Sequence, residues 1–400
     1  MVIPYGGSPA IGLLAIEMYL DDLATCPADT MIGVLGLEDG TMVEGTGFGA
    51  PGAVSGELVF TTVMSGYEEA LTDPSYHGQM LMFTYPLQGN YGVSGEDFQS
   101  DRMWPLAMVS REYWPRPAHH RQIKTLDQFL IDEGRPGLCG VDTRMLTLKV
   151  RNQGVMRAAI AVGEREDVQS LDVVAMARSQ PDISTLDLLR DVTCKAPYRI
   201  AGPGPRLTVL DLGIKRNILK SLSCRGFDIT VLSAHASIPE IEATEPQALF
   251  VSNGPGDPQR AHEAISAVKR FAGEIPVFGI CLGHQVISLA LGAETFKLKF
   301  GHHGGNQPVK DLEKKVVYIT SQNHNFAVRP SSVEGTELQI TQINANDGTV
   351  EGVCCEQLGI FAVQYHPEAS PGPLCTEGPF FGTVLRMMNS SGGKAWEGRR

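Results

Sequence analysis

Between Arg206 and Leu291 short apolar runs alternate with helix-length amphipathic segments, a rhythm few folds accommodate. Arg206-Leu-Thr-Val-Leu-Asp211, Asp228-Ile-Thr-Val-Leu232, Ala248-Leu-Phe-Val-Ser252 and Ile275-Pro-Val-Phe-Gly-Ile280 read as buried strands. Helices are expected over 215–225, 238–245, 259–272 and 283–291. Strands joined by crossover helices pair in parallel with helices on both faces, so this half predicts an α/β, doubly wound, mostly parallel sheet. Sites in such sheets form at the carboxyl ends of strands, which singles out Asp211, the Ser252–Gly256 loop and Cys281. Asp211 reads more simply as a cap for the following helix.

Cys281 stands where an apolar strand turns into a helix, flanked by Gly279 and Gly283. This is the thiol version of the nucleophile elbow, in which a strained turn raises a side chain above the sheet and larger flanking residues would collide. The helix start aims its N–H groups and positive dipole end at the sulfur, favouring thiolate, and the Leu282 N–H is placed to donate to an oxyanion. A small core cysteine at a helix start is the competing reading. A thiol nucleophile needs a base. Phe361-Ala-Val-Gln-Tyr-His-Pro-Glu368 ends a strand in His366, with Glu368 two residues on and able to share its face. His366 would move the proton and Glu368 would orient the imidazole, against the plainer reading of a surface histidine. In Phe250-Val-Ser-Asn-Gly-Pro-Gly-Asp-Pro258, two glycines let backbone amides face an oxyanion or a carboxylate. A nucleotide-phosphate role is disfavoured, since P-loop lysine and dinucleotide glycine spacing are both missing.

The first half has another texture. Met31-Ile-Gly-Val-Leu-Gly-Leu37 is a strand closed by a turn at Glu38-Asp-Gly40, and more short β runs follow at 56–63, 80–85 and 106–109, then a helix at 125–133. A mixed, β-rich domain over 31–170 is expected, then a bridge and linker over 171–205 ending in Ala-Gly-Pro-Gly-Pro, and a second domain over 206–390. Residues 1–30 and 391–400 read as an extension and a tail. The net charge of -12 argues against a nucleic-acid partner. No Lys or Arg precedes Arg102, so the first quarter is either a solvating face or a docking face for a basic partner. Eight cysteines without CxxC spacing point to mostly free, buried thiols in a reducing cytoplasm. The apolar run at 11–16 lacks the basic flank and length of a signal peptide, and no run is long enough to span a membrane. His302-His303 read as structural, with no metal site expected, because adjacent side chains diverge and no ligand residue stands beside them. His284 and His324 read as loop supports, and Cys354-Cys355 as a buried strand pair.

The Gly-Ile-Cys-Leu-Gly elbow, the His-Pro-Glu segment and the Asn-Gly-Pro-Gly-Asp-Pro loop together resemble class I, triad-type glutamine amidotransferases. Gly66-Tyr-Glu-Glu-Ala-Leu-Thr-Asp-Pro-Ser-Tyr76, Gly140-Val-Asp-Thr-Arg144, Asp211-Leu-Gly-Ile-Lys-Arg-Asn217, Lys299-Phe-Gly-His-His-Gly-Gly-Asn306 and Glu368-Ala-Ser-Pro-Gly-Pro373 narrow the resemblance to small subunits of carbamoyl-phosphate synthetases, over about 31–385. That resemblance implies a Cys281, His366, Glu368 triad hydrolysing L-glutamine through a glutamyl thioester. It implies a substrate pocket at Ser75, Gly254, Gly256, Leu282, Gln285, Asn323, Asn325 and Phe326. It also implies ammonia passing through a tunnel to a large synthetase subunit in a cytoplasmic heterodimer serving pyrimidine and arginine synthesis. ATP, Mg and bicarbonate would be used by that partner, with no cofactor in this chain. The family segment reads Asn-His-Gly-Phe where this chain has Asn323-His-Asn-Phe326, so a positive φ at Asn325 is one expectation. Amidotransferases for anthranilate, guanylate or cytidylate synthesis, a cysteine peptidase, and a catalytically silent subunit are the rivals. The first-half segments speak against the first of these, the glutamine loop against the second and the intact triad against the third.

Overall fold

Alternating apolar residues in the first half close into a barrel. The computed structural model describes residues 31–390; the expected extension 1–30 and tail 391–400 lie outside these. Strands β1 (Ile32–Leu37), β2 (Met42–Gly49), β3 (Gly52–Thr61), β4 (Gln79–Phe83), β5 (Ala107–Val109), β6 (Pro136–Cys139) and β7 (Met156–Gly163) close in the order β1-β2-β6-β5-β4-β3-β7. Leu35, Leu37, Leu58, Phe60, Met80, Met82, Ile160 and Val162 alternate along their strands and share one apolar cluster. Their neighbours Val59, Leu81 and Phe83 pack the other way, against helices Tyr67–Leu71 and Leu126–Asp132. The turn at 38–40 carries Gly40 at φ +96°, and the Asp39 carboxylate accepts from Thr41 N. Thr125 caps the second helix by accepting from Gln128 N.

The second sheet has ten strands in the order β8-β10-β9-β11-β12-β17-β16-β15-β13-β14. These are β8 (Tyr198–Ile200), β9 (Arg206–Asp211), β10 (Asp228–Ser233), β11 (Ala248–Val251), β12 (Val277–Ile280), β13 (Thr295–Asp311), β14 (Val317–Val328), β15 (Gln339–Asn344), β16 (Val350–Cys355) and β17 (Ile360–Val363). The run β10-β9-β11-β12-β17 is parallel and doubly wound. Side-chain alternation divides its two faces. Leu249, Val251 and Val277 meet the helices His262–Phe271 and Leu282–Ala290 on one side. Phe250, Phe278 and Ile280 meet Arg216–Ser223 and Glu377–Ser390 on the other. Beyond Gly292 no helix-length segment separates β13 to β16, so those strands form antiparallel hairpins and extend the sheet.

The 171–205 segment is more regular than a bridge: helix Val173–Ser179 packs on β1 and β7, and β8 joins the sheet edge. The β13–β14 hairpin ties the sheet to the barrel, with Thr62 N bonded to His303 O at 3.3 Å and Lys297 paired with buried Glu57 at 2.6 Å. Among the described residues, part of the acid excess of the first quarter is answered inside the chain. Glu57, Glu68 and Asp73 are buried, while Glu38, Asp39, Glu44 and Asp101 pair with Arg157, Lys149, Arg165 and Arg216. No disulfide joins the seven described cysteines to one another, yet only Cys281 and Cys355 are buried; Cys354 is half-exposed because its strand alternates. Among the described residues no helix is long and apolar enough to cross a membrane.

Candidate active site

The elbow forms where β12 ends. Cys281 has φ 55° and ψ -104°, a strained backbone for a residue with a side chain, and caps the helix Leu282–Ala290. Cys281 N donates to Val363 O at 2.9 Å, anchoring the turn on β17. The flanking glycines are steric necessities. A Cβ on Gly283 would lie 2.0 Å from Val251 O, and one on Gly279 would lie 2.7 Å from the Gly283 carbonyl carbon. Gly254 is equally constrained, at 1.9 Å from Leu212 O.

His366 follows the end of β17 and is held by its N–H to Ser321 O at 2.8 Å. Its Nδ1–H donates to Glu368 Oε1 at 2.7 Å, as two residues on an extended segment permit. That bond leaves Nε2 as the ring nitrogen able to exchange a proton with the sulfur, and Nε2 makes no hydrogen bond. Cys281 lies close enough for its sulfur to raise the His366 pKa, but its thiol donates at 3.6 Å to Asn323 O, leaving the Cys–His contact loose. Cys281, His366 and Glu368 are each 1% exposed. Burial disfavours the imidazolium, yet the Glu368 carboxylate overcomes this and holds the His366 pKa above its ordinary value. Burial likewise works against ionised Glu368, and the Lys215 ammonium with His366 more than offsets it, so that pKa is lowered.

Lys215 is the residue that sequence reasoning missed. It is almost fully buried, with Nζ 3.0 Å from Glu368 Oε1 and a further bond to Ala369 O. Its signal was present in the Asp211–Asn217 segment, at a strand end facing the site. Asp211 itself does not cap the helix, which starts only at Arg216. Its carboxylate instead accepts from Gly213 N, Ile214 N and Cys194 N at 2.8–2.9 Å, fixing the turn that delivers Lys215.

One cavity collects the rest. Ser75, Gly254, Gly256, Leu282, Gln285, Asn323, Asn325 and Phe326 all line it together with Cys281. Ser75 comes from the barrel half and accepts from Asn253 Nδ2 at 2.9 Å. Gln285 donates to Phe326 O at 2.6 Å and Gln364 Oε1 at 3.0 Å, so its amide N–H groups are already engaged. Asn325 does not have a positive φ; it lies in β14, paired to β13, and its backbone is ordinary. A second, smaller cavity adjoins His366 and is lined by Lys215, Asp73, Gly304 and Ser321.

His303 is pinned between Asn323 and Asn325, each 2.9 Å away, and His302 donates to Asp347 at 2.8 Å, so neither is idle. His284 is fully buried and its pKa is pushed down to about 4 by burial. The expectation that His302 has no ligand residue nearby is corrected by the fold. His302, His324 and Glu351 place one ligand atom each within 4.8 Å of one another, because the sheet brings β13, β14 and β16 together. A metal could be held there, though His324 already bonds Phe326 O and the Gln322 amide.

Residues 208–383 match the glutamine amidotransferase class-I family, and residues 35–160 match the carbamoyl-phosphate synthase small chain, CPSase domain. The carbamoyl phosphate synthase small chain of Methanosarcina mazei is 55% identical over 367 residues, 90% of this chain and 99% of that protein. That of Methanopyrus kandleri is 48% identical over 351 residues, 88% and 97% of the two chains. Among solved structures, a glutamine amidotransferase from Thermotoga maritima aligns over 47% of this chain and 85% of its own, with a TM-score of 0.35 and 13% identity, too slight a likeness to argue from. With relatives this similar over nearly their whole length and an elbow, a histidine and a loop in one site, the chain belongs to the family of carbamoyl phosphate synthase small chains, glutamine amidotransferases of class I.

Proposed function

We propose that Cys281, His366 and Glu368 hydrolyse L-glutamine to glutamate and ammonia, and that the ammonia passes to a separate synthetase large subunit. The observation that carries this reading is the elbow cysteine in one site with His366, whose Nε2 makes no hydrogen bond while the other imidazole nitrogen is held by Glu368. The Cys281 proton moves to Nε2 and the sulfur attacks the side-chain amide carbon. The oxyanion meets the Leu282 N–H and the amides of the Gly254–Gly256 loop, in a site where preorganised donors act strongly. The imidazolium gives its proton to the departing nitrogen as the C–N bond breaks, leaving a glutamyl thioester and ammonia. Water then attacks the thioester, His366 takes its proton, and the thiol is restored. Glu368 stabilises the charged imidazole through both steps.

The small cavity beside His366, on the Lys215 and Gly304 side, is where ammonia would start its path. A sequestered route suits the chemistry, because free ammonia near neutral pH is mostly protonated and no longer nucleophilic. The partner would supply ATP, Mg and bicarbonate to form carbamoyl phosphate for pyrimidine and arginine synthesis in the cytoplasm. The barrel, over about 31–170, and the sheet, over about 206–390, then act as one glutaminase unit with substrate groups from both. The test is ammonia release from glutamine by wild type and Cys281→Ser, each with and without the large subunit. Partner-stimulated release lost in the variant, with ammonia-driven carbamoyl phosphate synthesis intact, is expected. Release that survives in Cys281→Ser removes the thiol from the mechanism, and an idle wild type with an active partner sinks the reading.

A further inference from the structure

A substrate amino acid brings an ammonium group, yet among the described residues no carboxylate lines the cavity that holds Cys281. Neutral acceptors must therefore meet that charge, and the hydrogen-bond network around His303 decides where one of them points. Asn323 and Asn325 lie two apart on β14, so both side chains face His303 on the neighbouring β13. Asp73 can only accept as a carboxylate, and it takes Asn323 Nδ2 at 3.0 Å. That fixes Asn323 Oδ1 toward His303 Nδ1, 2.9 Å away, so Nδ1 carries the imidazole proton. His303 is buried, which pushes its pKa down to about 4 and leaves it neutral, with a bare Nε2. The Asn325 amide atom lying 2.9 Å from Nε2 must then be a donor. Amide oxygen and nitrogen exchange on a half turn and are assigned by their bonds, so this position belongs to the NH2 group. The carbonyl oxygen consequently faces away from His303. Gly301 leaves room for the arrangement, since a Cβ there would lie 2.4 Å from both Asn325 and His303. Gln79, the first residue of β4, lines the same cavity, is buried, and has an Oε1 that makes no bond.

The geometry points to Asn325 Oδ1 and Gln79 Oε1 as the acceptor pair that holds the α-ammonium of the substrate, making Asn325 a specificity-determining residue. The side chain standing where the family has glycine thus adds a contact through an orientation imposed from Asp73 by way of Asn323 and His303. This inference rests on glutamine being the substrate. Its test compares L-glutamine with glutaramate, which keeps the amide and carboxylate but lacks the amino group, using the full chain with its large subunit. Hydrogen bonds to a charged group predict that Asn325→Gly lowers the preference for glutamine over glutaramate about tenfold to a hundredfold, mainly through KM for glutamine. Asn325→Ala removes the same oxygen without adding the backbone freedom of glycine and is expected to lower the preference as Asn325→Gly does. The inference is overturned if Asn325→Gly leaves the preference unchanged, whether by sparing both substrates or by impairing them equally. It is also overturned if Asn325→Ala retains the preference that Asn325→Gly loses, which would assign the loss to backbone freedom at that position. A wild type that hydrolyses neither compound would instead remove the glutaminase reading on which the inference stands.

Discussion

Lys215 and Glu368 illustrate how a buried charge acts at a distance from the reacting atoms. Each is almost fully enclosed, and each answers the other's charge at 3.0 Å while Glu368 also orients His366. Removing one partner strands the other in a poorly solvated interior. Lys215→Met is therefore expected to cost about 3–5 kcal/mol in denaturant unfolding and to lower glutaminase turnover. Unchanged stability would mean that Glu368 finds another counter-charge. Glu351 offers a pH-dependent case. Burial raises its pKa to about 7 from 4.5, against lowering contributions from Asn344 and His302. His302 is raised as well: burial alone would depress it, but Asp347 and Glu351 outweigh that. For a group whose folded pKa exceeds the unfolded one, stability is present below the unfolded pKa and lost as pH rises through the folded value. The Glu351 contribution is thus present below about pH 4.5 and lost by about pH 7. Glu351→Gln should gain on wild type by about 2–3 kcal/mol between about pH 5 and about pH 8, read from unfolding curves at each pH. A constant difference across that window would contradict the assignment.

At the scale of elements, the elbow is a strand and a helix packed so closely that two glycines have no substitute. Gly283→Ala pushes a methyl into the Val251 carbonyl and must shift either β11 or the catalytic turn. Ammonia release should fall by roughly a hundredfold or more, since about 1 Å of misplacement costs on that order, and thermal unfolding should move to lower temperature. An alanine variant of near-normal activity would show that the helix can slide without cost. These elements were legible in sequence because their information is local. An apolar run, a glycine either side of the cysteine, and a His and Glu two residues apart each state a backbone geometry within a few residues. Helix ends were less legible. The helix expected over 215–225 runs Arg216–Ser223, with Lys215 at its N-cap and its end two residues earlier.

At the scale of the whole molecule, the cavity beside Cys281 belongs to neither half alone. Ser75 and Asp73 arrive on the turn after helix Tyr67–Leu71 and meet Asn253 and Asn323 of the sheet half at 2.9 and 3.0 Å. A double-mutant cycle on Ser75→Ala and Asn253→Ala should give a coupling of about 0.5–3 kcal/mol in kcat/KM for glutamine, with additivity showing that the two halves do not cooperate at the site. By itself the sequence determined the parallel α/β half and singled out Cys281, His366 and Glu368, which the fold brings into one site, because periodicity and short spacings fix backbone direction without reference to distant chain. It also placed the residues of the pocket through their motifs. Only the tertiary structure decided that the first half closes into a barrel, that Glu38 and Asp39 pair with cations from far along the chain, and that Lys215 stands behind Glu368. It alone decided that Glu351 meets His302 and that His303 lies between Asn323 and Asn325. Each of these depends on charges or amides brought together by strand order across tens to hundreds of residues, and pairings at that range leave no periodic trace in the sequence.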